Sequence, residues 1–465
     1  MKSVSAIVTI SILSVLFLYE VFGSVPALIS VTNTGTITIP ARLLVPQFGL
    51  RIADMMVDIV RPNFDDNAYA TMWQSALNDL KAASPNGEIN YVQLRIFWKV
   101  DPNTRSTWEF PTLGSNDYTQ QTVMNNWQRW LFGIGDPSLA YGPSAAERIH
   151  NAGFRLEICL STCWNPAGTL ADSIPSVFGW DGREANAPQY PFDGELFLKN
   201  YMDNNLRPVA QFLANNSNFK SGDIFMLGFE MGYPTSDFTW THNPTWTAMI
   251  DEVRQIFINA GKTIVLTVDH SSWYDDFGLG YEAVKLQNPN ATITKATPGI
   301  SGASYLGDLD FISISFWNPI LKSTQIPATW SDADIPWVTD AWRNDQNFFK
   351  VGTGHDGVPG QYGRDFIADF GALSAVLQGK KILMNTGYSN THSILSRSGG
   401  SFDNQAQRVA WASQIRAIRD QNWSAGQDFE RYTKNKYQSS DIDDSWRNAP
   451  AQQAIIDEIR AASPP

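Results

Sequence analysis

Cysteine is almost missing from this 465-residue chain, which has only Cys159 and Cys163. Two thiols make no disulfide framework, and a bridge within Cys-Leu-Ser-Thr-Cys would require a sharp turn there. Two unbridged thiols are expected. Histidine is also scarce: His150, His242, His270, His355 and His392 are scattered without metal-ligand spacing, so neither a metal site nor a cofactor is expected. Charge is thin, at 17% of residues, with 34 cations against 46 anions, a net of −12, and no run of Lys or Arg. Phosphate recognition needs a basic surface, which excludes nucleic acid as a partner.

Long apolar runs are absent as well, except over residues 6–19, a 14-residue stretch stopped by Glu20. A spanning helix needs roughly 20 apolar residues, and a short positive start before a run of this length fits a secretory signal. The expected division is therefore 1–23 as signal peptide or uncleaved N-terminal anchor, 24–48 as a lead-in segment, and 49–465 as the main domain. That domain is expected to be secreted, with no membrane contact beyond the anchor. Asn-x-Ser/Thr sites at Asn215, Asn290 and Asn422 are compatible with this location.

Aromatic residues, by contrast, are abundant: 17 Trp, 15 Tyr and 26 Phe. Many aromatics with little charge argue against disorder and suggest exposed aromatic faces. Apolar runs alternate with helical patterns along the chain. Strands are expected over 50–60, 91–98, 154–160, 224–229, 263–269, 309–315 and 381–385, with an eighth after Trp423. Helices are expected over 69–83, 119–132, 144–152, 194–214, 245–260, 365–377, 404–420 and 449–462. This alternation implies crossover units and a parallel sheet, and no dinucleotide fingerprint follows the first strand. An α/β fold, a (β/α)₈ TIM barrel with long βα loops, is favoured over a doubly wound sheet. Gly352-Thr-Gly-His-Asp-Gly357 matches G-x-G-x-x-G in letters, but Val-Pro-Gly follows instead of a helix, so it reads as a turn-rich loop.

In such a barrel the chemistry sits at the carboxyl ends of the strands. The apolar run from Asp223 ends in Glu230, a lone carboxylate followed by Met-Gly-Tyr-Pro. The other strand ends carry Trp98, Trp164, Asp269, His270, Trp273, Trp317, Asn318, Asn385 and Tyr388. Flat aromatic faces interspersed with carboxylates and amides suit sugar rings, so carbohydrate is the expected partner.

Leu-Gly-Phe-Glu230 at the fourth strand and Ile-Leu-Met-Asn385-Thr-Gly-Tyr-Ser at the seventh resemble the clan A glycoside hydrolases. The closer similarity is to the endo-β-mannanase and β-glucanase-like branches. Asp403-Asn-Gln-Ala-Gln-Arg-Val-Ala-Trp411 and Leu309-Asp-Phe-Ile-Ser-Ile-Ser-Phe-Trp317 carry the resemblance further, over roughly residues 50–462. It implies retaining hydrolysis of β-linked poly- or oligosaccharide, with Glu230 as general acid/base and the nucleophile position at Asn385.

The chain departs from the family pattern at Asn385, because a carboxamide neither attacks well nor carries the charge that steadies an oxocarbenium-like transition state. Four readings stay open. A nucleophilic Glu has been replaced to trap a complex, or the chain binds glycans on a retired enzyme scaffold. Alternatively, another carboxylate serves, from among Asp269, Asp275, Asp276, Asp428 and Glu430, or Asn385 holds a substrate acetamido group that itself attacks.

Overall fold

The computed structural model describes residues 30–31, 37–38, 47–51, 66–100, 108–109, 128, 143–163, 198–199, 201–229, 243–271, 304–315, 326–344, 366–386, 403–429, 432 and 445–462. The chain divides into two units, Met1–Val45 and Pro46–Pro465. In the first, Ser30–Val31 pairs antiparallel with Ile37–Thr38.

The second unit carries eight strand positions: β1 (Gln47–Arg51), β2 (Tyr91–Val100), β3 (Arg155–Cys163), β4 (Ile224–Phe229), β5 (Val265–Thr267 and Asp269–Ser271), β6 (Ile312–Ser315), β7 (Ile382–Thr386) and β8 (Ser424–Phe429). The two segments of β5 are one stretch of chain interrupted only at Val268. The first pairs with β4 and the second with β6. Every other neighbour in the series is also parallel, and β8 pairs with β1. The parallel strands therefore close into a barrel, and a two-residue strand, Trp108–Glu109, pairs antiparallel with the end of β2 off the ring. Followed around the ring, the registers return to β1 about eight residues from where they start, the stagger of a (β/α)₈ barrel.

Among the described residues, helices α1 (Asp66–Ala83), α2 (Ala145–Asn151), α3 (Arg207–Asn215) and α4 (Asn243–Asn259) follow β1 to β4, and only a 3₁₀ turn (Ser304–Asp308) stands between β5 and β6. Both α5 (Ile335–Asn344) and α6 (Phe366–Val376) follow β6, and α7 (Asn404–Ile418) and α8 (Pro450–Ala462) follow β7 and β8. Local chemistry sets their ends. Ser144 and Glu147 form a reciprocal capping box at α2, and Asp403 accepts from the Gln405 and Ala406 amides at α7. Gly153, at φ +88°, takes the left-handed turn after α2 that delivers the chain into β3. A π turn, Met202–Leu206, precedes α3. Pro208, in the first turn of α3, has no N–H to give the carbonyl four residues back, and the chain widens just before it.

The strands present two faces. Val92, Leu94 and Ile96 of β2, Leu156, Ile158 and Leu160 of β3, and Leu266 and Val268 of β5 join the helices in one apolar layer. Trp73, Trp246, Trp330, Trp342, Trp411, Trp423 and Trp446, seven of the 17 tryptophans, are buried there. Truncating a buried Trp costs about 3–5 kcal/mol, so this part of the aromatic surplus is structural; the strand-end tryptophans Trp98, Trp164, Trp273 and Trp317 have side chains outside the described residues. Among the described residues, no helix is long and apolar enough to cross a membrane.

One strand is displaced from its expected range and one helix is new. β1 occupies Gln47–Arg51 rather than 50–60, because a five-residue strand with Gly49 at its centre carries no apolar run. α5 was not anticipated, since Pro336 sits in its first turn, where a missing N–H costs nothing. Apart from Gln128, the helix expected over 119–132 lies outside the described residues, as does loop 352–357.

Candidate active site

The interior of the barrel is polar. Side chains that alternate with the helix-facing set point the other way: Tyr91, Gln93 and Arg95 on β2, Glu157 and Cys159 on β3, Asp269 on β5, Ser313 on β6, Asn385 on β7 and Asp428 on β8. All are buried. Contacts across the ring establish the direction. Gln93 on β2 reaches Asp428 on β8 although β1 lies between them, so the two meet through the interior. On β1, Gly49 is the Cα partner of both Asp428 and Tyr91, and Arg51 is that of Gln93.

Gln93 is the hub. Its Nε2 donates to Asp428 Oδ2 at 2.9 Å and to Glu157 Oε1 at 3.1 Å, while its Oε1 accepts from Arg95 Nε at 2.8 Å. The guanidinium can only donate, and this fixes which way round the Gln93 amide lies. The Arg95 guanidinium carbon lies 3.4 Å from the ring centre of Phe229, a cation–π contact on the last residue of β4. A continuous chain of contacts thus runs from the end of β4 to β8. On the far wall, Ser313 Oγ donates to Asp269 Oδ2 at 2.5 Å.

Burial dominates the electrostatics. It pushes the Glu157 carboxyl well above the usual range, the neighbouring Asp428 adds to this, and Gln93 and Arg95 oppose it. Burial likewise pushes the Tyr91 phenol up, aided by Asp428 and Glu157. The Cys159 thiol is raised for the same reason and is unbridged. Cys163 lies in the same extended strand four residues on, roughly 13 Å away along the chain, beyond disulfide reach.

Several of the residues singled out from the sequence can now be placed. Asn385 is next to last in β7, fully buried, and Cα partner to Ser315 on one side and Asp428 on the other. Among the described residues, neither of its amide atoms has a hydrogen-bond partner. Asp269 is buried on β5 and His270 pairs with Ile314 through the backbone. Trp98 pairs with Thr162 between β2 and β3. Glu230 is the residue after Phe229. Glu230, Trp164, Trp273, Trp317, Asn318 and Tyr388 lie outside the described residues, as do the side chains of Trp98 and His270.

The sequence reading missed the hub itself, Gln93, Arg95 and Glu157. A signal was present: Tyr91-Val-Gln-Leu-Arg-Ile and Arg155-Leu-Glu-Ile-Cys-Leu alternate with period two, whereas a dry parallel barrel reads as continuous apolar runs. Among the described residues, no group of three or more His, Cys, Asp or Glu side chains could hold a metal ion.

No family model matches the chain, and no curated protein sequence matches it. Solved structures follow a similar course. A GH113 β-mannanase from Alicyclobacillus acidocaldarius is 11% identical, covers 90% of this chain and 98% of its own, and superposes with a TM-score of 0.48. A GH5_18 protein from Streptomyces cattleya is 10% identical, with 90% and 81% covered and a TM-score of 0.47. The GH53 catalytic domain from Ignisphaera aggregans is 14% identical, with 93% and 99% covered and a TM-score of 0.39. The barrel assignment rests on the strand pairing described above.

Proposed function

We propose that this chain is an extracellular glycoside hydrolase acting on β-linked poly- or oligosaccharide, with Glu230 as general acid/base. The observation that carries the reading is where the two marked positions fall in the ladder. β4 ends at Phe229, immediately before Glu230, and Asn385 stands on the interior face of β7. A retaining hydrolase needs an acid/base and a second carboxyl group about 5 Å apart. Asp428, level with Asn385 on the neighbouring strand, is the described carboxylate nearest in register to the missing one. Release of reducing ends from β-mannan or β-glucan is expected to disappear in Glu230→Gln. Undiminished release in that variant would remove Glu230 from the role.

Asn385 favours a second reading, a carbohydrate-binding surface protein without turnover, because a carboxamide stands where the reaction needs a carboxylate. That reading expects glycan binding to persist in Glu230→Gln, with no product from either chain after long incubation. The location is tested separately. N-terminal sequencing of the exported chain should find a start near Ser24, and an intact Met1 would favour the anchor instead.

A further inference from the structure

Inside the barrel, Glu157 and Asp428 share one amide group. Both accept from Gln93 Nε2, and the orientation of that amide is fixed by Arg95. Its two hydrogens therefore serve one oxygen of each carboxyl group. The other Glu157 oxygen, Oε2, is buried and has no hydrogen-bond partner among the described residues. An ionised carboxylate with an oxygen left unserved in a sealed interior is among the costliest arrangements a fold can hold, and such a group takes up a proton instead. Two anions on one neutral amide would add mutual repulsion.

We propose that Glu157 is held as a neutral carboxylic acid with its proton on Oε2, so that the Glu157–Asp428 pair carries a single negative charge. We assign that charge to Asp428, level with Asn385, because Asp428 has an interaction beyond the Gln93 amide, whereas Glu157 Oε2 has no hydrogen-bond partner among the described residues. The groups facing the pair are Tyr91 and Arg95 from β2, Arg155 and Cys159 from β3, and Asp269 from β5. Among the described residues, β4, β6 and β7 contribute no titratable side chain to this face. Arg51 of β1 is the Cα partner of Gln93, and its side chain lies outside the described residues. Burial and the Asp428 charge both push the Glu157 carboxyl up, in agreement with the geometry.

There is a consequence for the site, resting on the hydrolase reading above. A cationic transition state near Asn385 gains nothing from the amide, but the Asp428 anion one strand away supplies a favourable field. Asp428 acts here through the field across the Asn385 position, as a positioning and electrostatic group.

Infrared spectroscopy of the full chain tests the proton directly. At neutral pH the wild-type protein should show the C=O stretch of a protonated carboxylic acid, and Glu157→Gln should lack it. Absence of the band in the wild type, as pairing of Glu157 with Arg51 would produce, overturns the proposal. Because Gln mimics the neutral acid in shape, Glu157→Gln should keep its folding constant at neutral pH within about threefold of wild type, or gain. A fall of about a hundredfold would mean that an ionised Glu157 had been holding the fold, and would also overturn it. For the consequence, Asp428→Asn should lower kcat on the hydrolysed polysaccharide at least about tenfold with KM little changed. Unchanged kcat with the band in place overturns the electrostatic half alone. No turnover by wild type on any β-linked substrate overturns the hydrolase reading and leaves the proton to the infrared result.

Discussion

Asn385 on β7 and Asp428 on β8 are Cα partners across a parallel pair, so an amide and a carboxylate stand level on adjacent strands within the barrel. Each is fully buried. Asn385→Glu would place a second carboxylate beside Asp428, in an interior that already holds Glu157 and Asp269. Unpaired like charges there are expected to cost about 2–4 kcal/mol at neutral pH. The loss should shrink on acidification, as the new carboxyl protonates. If the hydrolase reading holds, the same variant should release more reducing ends than wild type while melting lower. Thermal unfolding across pH, alongside a reducing-end assay, checks both halves.

Gln93 bridges three buried partners, accepting from Arg95 and donating to Glu157 and Asp428. Gln93→Leu keeps the volume but removes the acceptor for Arg95 and the donors for Glu157 and Asp428. Each of the three hydrogen bonds lost at a buried charged or carboxyl group costs about 1–3 kcal/mol, so the expected loss is at least about 3 kcal/mol, measured by urea unfolding. Gln93→Glu should be no better, since it adds an anion in place of the shared donor. A loss below about 1 kcal/mol in Gln93→Leu would mean that the hub contributes little.

The barrel is fastened at its first and last helices by Glu88, just before β2, and Arg460 of α8. Arg460 Nε donates to Glu88 Oε1 at 2.5 Å, and Ser84 and Asn86 hold the same carboxylate. Burial alone would raise this pKa, but the hydrogen bonds from Arg460, the Glu88 backbone, Asn86 and Ser84 together outweigh it and hold the carboxyl at about 2. A carboxyl depressed from 4.5 stabilises the fold fully above that value, and the contribution drains as pH falls toward about 2. Half-exposed Arg460 is screened by solvent, so about 2 kcal/mol is at stake. Glu88→Gln should lose about that much at neutral pH and converge with wild type in strong acid. Urea midpoints across the acid range decide the matter.

The fold was legible because periodicity and stop signals survive in single elements. Ser-Pro-Asn-Gly after α1, Gly153 after α2, Gly261 after α4 and Gly379 after α6 mark helix ends within two or three residues of where they fall. β1 was misplaced because its signal is a short run around a glycine, Gly49. The hub was overlooked for a different reason. Its members lie on β2, β3 and β8, up to 335 positions apart, and only barrel closure brings them together. Alternation in β2 and β3 shows that one face is polar, but not which polar groups meet. Asn385 was identifiable through its neighbouring Thr-Gly-Tyr. That its amide has no hydrogen-bond partner among the described residues is a property of packing and could not be read from the chain.

The strand that carries Asn385 is also pinned from outside the barrel. Thr386 Oγ1 donates to Gln414 Oε1 of α7 at 3.1 Å and accepts from Gln427 Nε2 of β8 at 3.0 Å, and Gln427 Nε2 also donates to Gln414. All three side chains are buried. They tie β7, β8 and α7 at the level of the Asn385–Asp428 pair, so disturbing them should move the site as well as weaken the fold. Thr386→Val preserves the shape but removes the hydroxyl, leaving Gln414 and Gln427 each short of a partner. A loss of about 1–3 kcal/mol is expected. Thr386→Ser keeps the hydroxyl and gives up one methyl group, which costs about 1 kcal/mol or somewhat more when buried. If the hydrogen bonds hold β7 in place, the Val variant must be the less stable of the two in urea unfolding and must also lose more glycan affinity. The opposite order would show that the Thr386 methyl group, rather than its hydroxyl, positions this strand.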